Sequence, residues 1–337
     1  MLKLGIIGTN WITHQFVEAA IESGEYVLAS VYSRRADNAA QFAEKYDNAK
    51  EINIETDFKA FVTSPDVDVI YIASPNSLHF SQAKAAIQAG KHVIVEKPLV
   101  STYAELSELI ELSEDKEVFL FEAARHIHEE NFKYVSDYIK GKDKVLGANL
   151  SFMKYSSRYN ALLKGEEPNI FSAKYSGGAL MDLGVYLLYA AVDWFGKPQD
   201  VYYFAQKLPT GVDGLGTMIL RYEDHDVTLS TGKNANSFLP SEIYFEDETL
   251  ILDAINSIES ITVQPLKEEA EPLENRAKKA SENPMIDEAL AFADVIHHPN
   301  SIQQQKDYQD WIQLARDVHS TMEKLRKHAE IVFEADK

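Results

Sequence analysis

The strongest constraint on this chain lies in its first 120 residues, where short apolar runs alternate with helical patterns. Residues 2–7, 26–32, 67–73, 92–95 and 118–121 read as strands. Residues 16–23, 37–46, 77–89 and 103–113 read as the helices between them, with Gly24 and Gly90 closing two of the four. Neighbouring parallel strands need a long crossover connection, usually a helix, so this alternation predicts a parallel sheet with helices on both faces. Val67-Asp68-Val69-Ile70-Tyr71-Ile72 is nearly continuous in apolar residues, as a sheet covered on both sides requires.

The pattern then changes. Residues 132–139 read as a helix, 145–153 as a strand, and 179–195 as a strongly apolar helix opened by Gly177-Gly178. Between Asp200 and Val263 the chain reads as consecutive strands over 201–206, 217–222, 227–232, 242–245, 249–253 and 260–263, which predicts an antiparallel or mixed sheet. Residues 284–297 and 305–327 read as closing helices, and the acid-rich segment from Lys267 to Glu274 as a solvated loop. The expected fold is α/β: a doubly wound parallel sheet followed by an α+β domain with a large, mostly antiparallel open sheet. The expected division is 1–123 for a dinucleotide-binding domain, 124–304 for substrate binding and oligomerisation, and 305–337 for a helix and tail returning to the first domain.

Composition narrows the function. Lys plus Arg number 33 against 53 Asp plus Glu, a net charge of −20. That balance argues against nucleic acid and against anionic lipid as partners. With no cysteine there is no thiol catalysis, iron–sulfur cluster or thiolate zinc site. The first residues lack a leader pattern and no run of 18 apolar residues appears, so a cytoplasmic protein without a membrane span is expected.

Gly8-Thr9-Asn10-Trp11-Ile12-Thr13 follows the first strand and opens the first helix. The dinucleotide fingerprint is G-x-G-x-x-G/A in that strand–turn–helix context. Here Asn10 replaces the second glycine and Thr13 the third. Asn tolerates a left-handed backbone better than most residues, and a helix N-terminus still presents free N–H groups to a pyrophosphate. A plain βα turn is the competing reading. At the end of the second strand an NAD site usually carries Asp or Glu for the ribose 2′-hydroxyl. The stretch from Tyr26 to Arg35 holds no acid and ends in Ser33-Arg34-Arg35, so Ser33 and Arg34 are candidates to hold a 2′-phosphate. The cofactor expected is NADP, with NAD as the alternative.

Three further segments, Ser74-Pro75-Asn76-Ser77-Leu78-His79, Glu96-Lys97-Pro98 and Gly177-Gly178-Ala179-Leu180-Met181-Asp182-Leu183-Gly184-Val185-Tyr186, resemble in order and spacing the Gfo/Idh/MocA oxidoreductases. The resemblance extends over most of the chain. It implies that Ser74, Pro75, Asn76 and His79 lie toward the nicotinamide end of the cofactor with Glu96, and that Lys97 enters the active site, often before a cis peptide bond to proline. It also implies that Asp182 and the residue four later form the second-domain half of the site. Many members carry His at the latter place; Tyr186 resembles the dihydrodiol dehydrogenase and aldose oxidoreductase branch, which uses NADP. The family usually dimerises through its open sheet, so a homodimer or higher homo-oligomer is expected.

Hydride transfer between an alcohol and nicotinamide C4 needs a group that takes or gives the hydroxyl proton. A free tyrosine has a pKa of about 10, which a nearby ammonium lowers. Lys97 is the candidate cation, Tyr186 the candidate relay, and Asp182 either orients substrate hydroxyls or holds Lys97 charged. Lys97 as the sole acid/base, with Tyr186 only binding, is the alternative. Asp182 and Tyr186 stand four apart and share one helix face. His126, His128, Glu129 and Glu130 invite a metal reading, but histidines two apart diverge on a helix, so no metal is expected; a role for Arg125, His126 or His128 near substrate stays open. The expected activity is NAD(P)-dependent oxidation or reduction of a sugar, polyol or related cyclic hydroxy compound. The alternative is a non-catalytic dinucleotide-binding sensor on the same fold.

Overall fold

The structure is a computed structural model that describes residues 1–267 and 274–337; most of the acid-rich segment read as a solvated loop lies outside the described residues. The chain gathers into two compact units, residues 1–125 with 281–312, and residues 126–280 with 313–337. This division departs from the expected one. Helix α9 (Ile286–His297) belongs to the first unit, and residues 313–337 belong to the second. The reason is side-chain chemistry that periodicity does not show: Ala289 O accepts the buried Tyr26 hydroxyl at 2.9 Å, and Gln15 O accepts Asn283 Nδ2 at 2.8 Å.

In the first unit, β1 (Leu2–Ile7), β2 (Tyr26–Tyr32), β3 (Asn53–Glu55), β4 (Val69–Ile72), β5 (His92–Glu96) and β6 (Leu120–Ala123) form a six-stranded sheet in the order β3-β2-β1-β4-β5-β6. All its pairings are parallel. The connecting helices are α1 (Trp11–Glu22), α2 (Ala36–Ala43), α3 (Phe58–Thr63), α4 (Asn76–Gln88) and α5 (Tyr103–Asp115). The sequence pattern had assigned no element between residues 47 and 66. There β3 is a three-residue edge strand, too short for a period, and α3 is announced only by Asp57, whose carboxylate accepts from the Lys59 and Ala60 N–H groups. Strand β4 is buried at every position, which is why it reads as an unbroken apolar run. The strand order reverses between β1 and β4, so the crevice outside their C-terminal ends is the topological switch point where such sheets take ligands.

In the second unit, α6 (Glu130–Lys140) precedes β7 (Val145–Met153), α7 (Tyr159–Leu163) and α8 (Val185–Phe195). Strands β8 (Asp200–Lys207), β9 (Asp213–Arg221), β10 (Asp226–Gly232), β11 (Ser241–Phe245), β12 (Glu248–Leu252) and β13 (Ile261–Pro265) follow; of α10 (Ile302–His328), the residues up to 312 belong to the first unit and those from 313 to the second. The seven-stranded sheet has the order β13-β12-β11-β7-β10-β9-β8 and is antiparallel except where β10 runs parallel to β7. Along β9 and β10 buried residues alternate with half-exposed ones. The buried face lies against α8 and the turn before it, and Tyr202 and Phe204 on β8 are exposed.

The apolar helix expected over 179–195 begins differently. Leu180–Gly184 is a π-helical turn, and α-helix starts only at Val185. Gly184 permits the close approach: a Cβ there would stand 3.1 Å from Leu180 Cδ1 and 3.5 Å from Met218 and Thr231 side chains. The stretch from Ala173 to Phe195 is apolar enough on average to meet the length and hydropathy of a membrane span, but it is largely buried inside its own unit and reads as a core helix.

Candidate active site

The sequence candidates of the first unit lie at the C-terminal ends of its parallel strands or in the turns and first helical turns that follow them. Gly8 follows β1 with φ +107°, and a Cβ there would stand 2.7 Å from Ala73 O, so the turn admits glycine alone. Asn10 is not left-handed as expected. Its φ of −85° and ψ of 172° are extended, so the backbone at this place does not require the glycine of the fingerprint. Asn10 caps α1, and Thr9, Trp11 and Ile12 surround that cap, Trp11 being strongly exposed. Thr13 is fully buried, yet its hydroxyl has no hydrogen-bond partner and lies 3.6 Å from where a Gly8 Cβ would be. A glycine cradle, an orphaned buried hydroxyl and free helix N–H groups fit the diphosphate of a dinucleotide.

At the end of β2, the Ser33 N–H donates to Glu55 O at 3.1 Å and its Oγ accepts from the Arg35 N–H at 3.3 Å. Arg34 is exposed beside it, ahead of α2. At the end of β4, Ser74 Oγ donates to Gln82 at 2.7 Å, and Pro75 and Asn76 start α4. His79 is buried to 1% exposure with Nε2 2.8 Å from Ser74 O and Nδ1 3.0 Å from Pro98 O. Burial pushes its imidazole down, against the pull of those carbonyls and Glu122. His79 therefore ties the end of β4 to the loop after β5.

That loop carries Lys97, and the Lys97–Pro98 bond is cis. Glu96, the last residue of β5, is buried and accepts the Tyr71 hydroxyl at 2.5 Å. Burial raises its carboxyl pKa, while Lys97, the Tyr71 hydrogen bond and Arg125 oppose the rise. Glu122 on β6 accepts the Leu99 N–H at 3.1 Å, so the segment after Pro98 is held from two sides.

In the second unit the Gly177-Gly178 pair has a partner that sequence reading missed. Gly178 has φ +117°, and a Cβ there would stand 2.1 Å from Asp213 Oδ1. Asp213 is fully buried and its Oδ2 accepts from Leu180 N–H at 2.6 Å and Tyr203 hydroxyl at 2.5 Å. Burial raises its carboxyl pKa, and those bonds hold it back. This carboxylate caps the turn that carries Asp182. The other missed residue is Lys233, just after β10, whose ammonium is ion-paired to Asp182 Oδ2. No spacing rule connects residues 51 apart, so only the lone Lys closing a strand marked it.

Tyr186 lies in the first turn of α8 and is half-buried. Its ring meets Phe152 edge-on at 5.6 Å and His126 at 4.8 Å, and its carbonyl lies 3.2 Å from His126 Nε2. His126 and His128 are buried in the short turn after β6, and burial drives His128 to about 3, with Lys133 adding to the effect. Among the described residues no group of three or more His, Asp or Glu is placed to hold a metal ion.

Comparison with known proteins adds independent findings. The family model described as an oxidoreductase family with an NAD-binding Rossmann fold matches residues 2–124, and the GFO/IDH/MocA C-terminal domain matches 143–251. The chain is 36% identical to the scyllo-inositol 2-dehydrogenase (NADP(+)) of Bacillus subtilis, covering 100% of this chain and 99% of that protein. It is 35% identical, over the same shares, to an uncharacterised oxidoreductase of Escherichia coli. A 3-ketoreductase from Actinomadura kijaniata, solved with NADP and TDP-benzene, superposes with a TM-score of 0.82 at 19% identity, over 98% of this chain and 99% of that one.

Proposed function

Because the chain belongs to the Gfo/Idh/MocA oxidoreductase family, we propose that it is an NADP-dependent enzyme that interconverts a hydroxyl and a carbonyl on a sugar, polyol or related cyclic hydroxy compound. The observation that carries the reading is the cradle at the switch point: Gly8 against Ala73 O, with the orphaned Thr13 hydroxyl beside it. The absence of any acid from Tyr26 to Arg35, with Arg34 exposed at the end of β2, favours the phosphorylated dinucleotide. The full-length relative of Bacillus subtilis carries NADP(+) and scyllo-inositol in its name, which supports both halves of the proposal.

A bound nicotinamide supplies the hydride acceptor or donor. In this reading Thr9, Asn10, Trp11 and Ile12 line the diphosphate, and Ser33 with Arg34 takes the 2′-phosphate. Ser74, Pro75 and Asn76 border the nicotinamide; His79 and Glu96 hold the loop that presents Lys97. Lys97 as an ammonium stabilises negative charge on the substrate oxygen, and Tyr186 exchanges the hydroxyl proton. Asp182 accepts from a second substrate hydroxyl. The exposed face of the second sheet, with Tyr202 and Phe204, is the surface we assign to self-association. Light scattering that shows a 38.0 kDa monomer at micromolar concentration overturns that assignment.

The test of the activity is a panel of inositols, aldoses and anhydro sugars with NADP(H) and NAD(H), in both directions. Turnover preferring NADP(H) supports the proposal. Tight NADPH binding with no turnover across the panel refutes it in favour of a dinucleotide-dependent sensor.

A further inference from the structure

We propose that Lys233 is a positioning residue: its ammonium fixes the Asp182 carboxylate in one orientation before substrate arrives. The inference rests on the assignment of Asp182 to the substrate half of the site. Lys233 stands immediately after β10, and its backbone is held on both sides. Its N–H donates to Gly214 O at 2.7 Å, and its carbonyl accepts from Ser156 N–H at 2.8 Å. The neighbouring backbone is crowded as well, since a Cβ on Gly232 would stand 3.1 Å from Met153 Cε, and one on Gly214 3.0 Å from Asn234 Nδ2. Pinned in this way, the residue has little freedom in where its side chain departs.

The side chain is only 7% exposed, and its ammonium is ion-paired to Asp182 Oδ2, which is itself 22% exposed. Lysine is among the residues least often buried, because an unpaired ammonium loses its hydration; burial at this level is stable only with a partner such as Asp182. The partner sits on the π-helical turn Leu180–Gly184, a distortion of the kind that collects at functional sites. Two backbone-fixed elements, the end of β10 and the capped turn before α8, are thus joined through one ion pair. A carboxylate held this way meets a substrate hydroxyl without first losing side-chain freedom.

The experiment is a double-mutant cycle of Lys233→Met and Asp182→Asn in the full chain, reading kcat and KM for a turned-over polyol, NADPH affinity and the thermal midpoint. Lys233→Met is expected to raise the polyol KM at least tenfold with NADPH affinity within twofold. Lys233→Arg is expected to recover most of that loss, which a merely space-filling role would not produce. In the Asp182→Asn background, Lys233→Met is expected to change KM less than twofold. If Lys233→Met does not fold, Lys233→Gln takes its place in the same cycle, with the same outcomes expected. Losses that multiply, or a folded Lys233→Met with wild-type KM, overturn the inference while leaving the activity assignment standing. A wild-type chain inert on every substrate overturns the activity assignment and this inference with it.

Discussion

Gly178→Ala tests the physical link between the Gly-Gly segment and the helix that carries Asp182 and Tyr186. Two costs add. A non-glycine residue at a left-handed φ, here +117°, costs about 1–2 kcal/mol. The new methyl would also stand 2.1 Å from Asp213 Oδ1, so the carboxylate has to move away from Leu180 N–H and the Tyr203 hydroxyl. A hydrogen bond to a charged group contributes about 1.5–3 kcal/mol, so losing one of these two brings the total to roughly 3–5 kcal/mol. Gly196→Ala is the control, because it lies at the other end of α8 with φ +82° and nothing within 4 Å of its would-be Cβ. It isolates the backbone cost of about 1–2 kcal/mol. At about 2–4 °C per kcal/mol for a unit of this size, Gly178→Ala lowers the thermal midpoint by roughly 6–20 °C, and Gly196→Ala by roughly 2–8 °C. Differential scanning fluorimetry reads both, with substrate KM in parallel. Equal midpoints for the two variants, or a wild-type midpoint and KM for Gly178→Ala, refute the coupling of Gly178 to Asp213.

Three further outcomes follow from single residues. Thr13→Val removes a buried hydroxyl that has no partner, so the cofactor-free protein is expected to melt at the same temperature or higher, while NADPH binding weakens about tenfold, as fluorescence titration reads it; lower stability with unchanged affinity contradicts this. Arg34→Ala is expected to weaken NADPH binding at least tenfold with little change for NADH, and an equal loss for both removes Arg34 from the 2′-phosphate. His128 stays neutral in the fold down to about pH 3, whereas an unfolded histidine takes its proton below about 6.5, so its contribution is complete above that value and is lost as pH falls. At about 1.4 kcal/mol per pH unit the loss reaches roughly 2 kcal/mol at pH 5, and His128→Gln is expected to show a smaller drop in thermal midpoint between pH 7.5 and 5.0 than the wild type.

The fold was legible where a physical period reached several residues. Leu2–Ile7, Tyr26–Tyr32 and Val145–Met153 coincide with the strands read from their apolar patterns. Strand β3 was not, because a three-residue edge strand leaves two of its positions exposed and carries no alternation to read. The grouping of residues 281–304 and 313–337 was not legible, because amphipathic helices announce an apolar face without saying which unit it packs on; Tyr26 to Ala289 and Asn283 to Gln15 are contacts across more than 260 residues. Of the site, the positions set by strand ends were legible: Gly8, Ser33, Ser74 and Lys97 each follow a parallel strand. The residues that brace the second half were not. Asp213 and Lys233 act from neighbouring strands on a helix 30 to 50 residues earlier, and only a folded sheet brings them there. The conformation of Asn10 was misread for a related reason: an Asn in place of a fingerprint glycine suggests a left-handed turn, but the bend is taken up at Gly8 alone.

The most direct test of the central claim is Lys97→Met assayed beside the wild type for both NADPH binding and polyol turnover. The expected result is NADPH affinity within a few fold of wild type, with turnover reduced by at least a thousandfold, about 4 kcal/mol of transition-state stabilisation. A Lys97→Met variant that turns over substrate at near wild-type rates, or a wild type that binds NADH more tightly than NADPH, contradicts it.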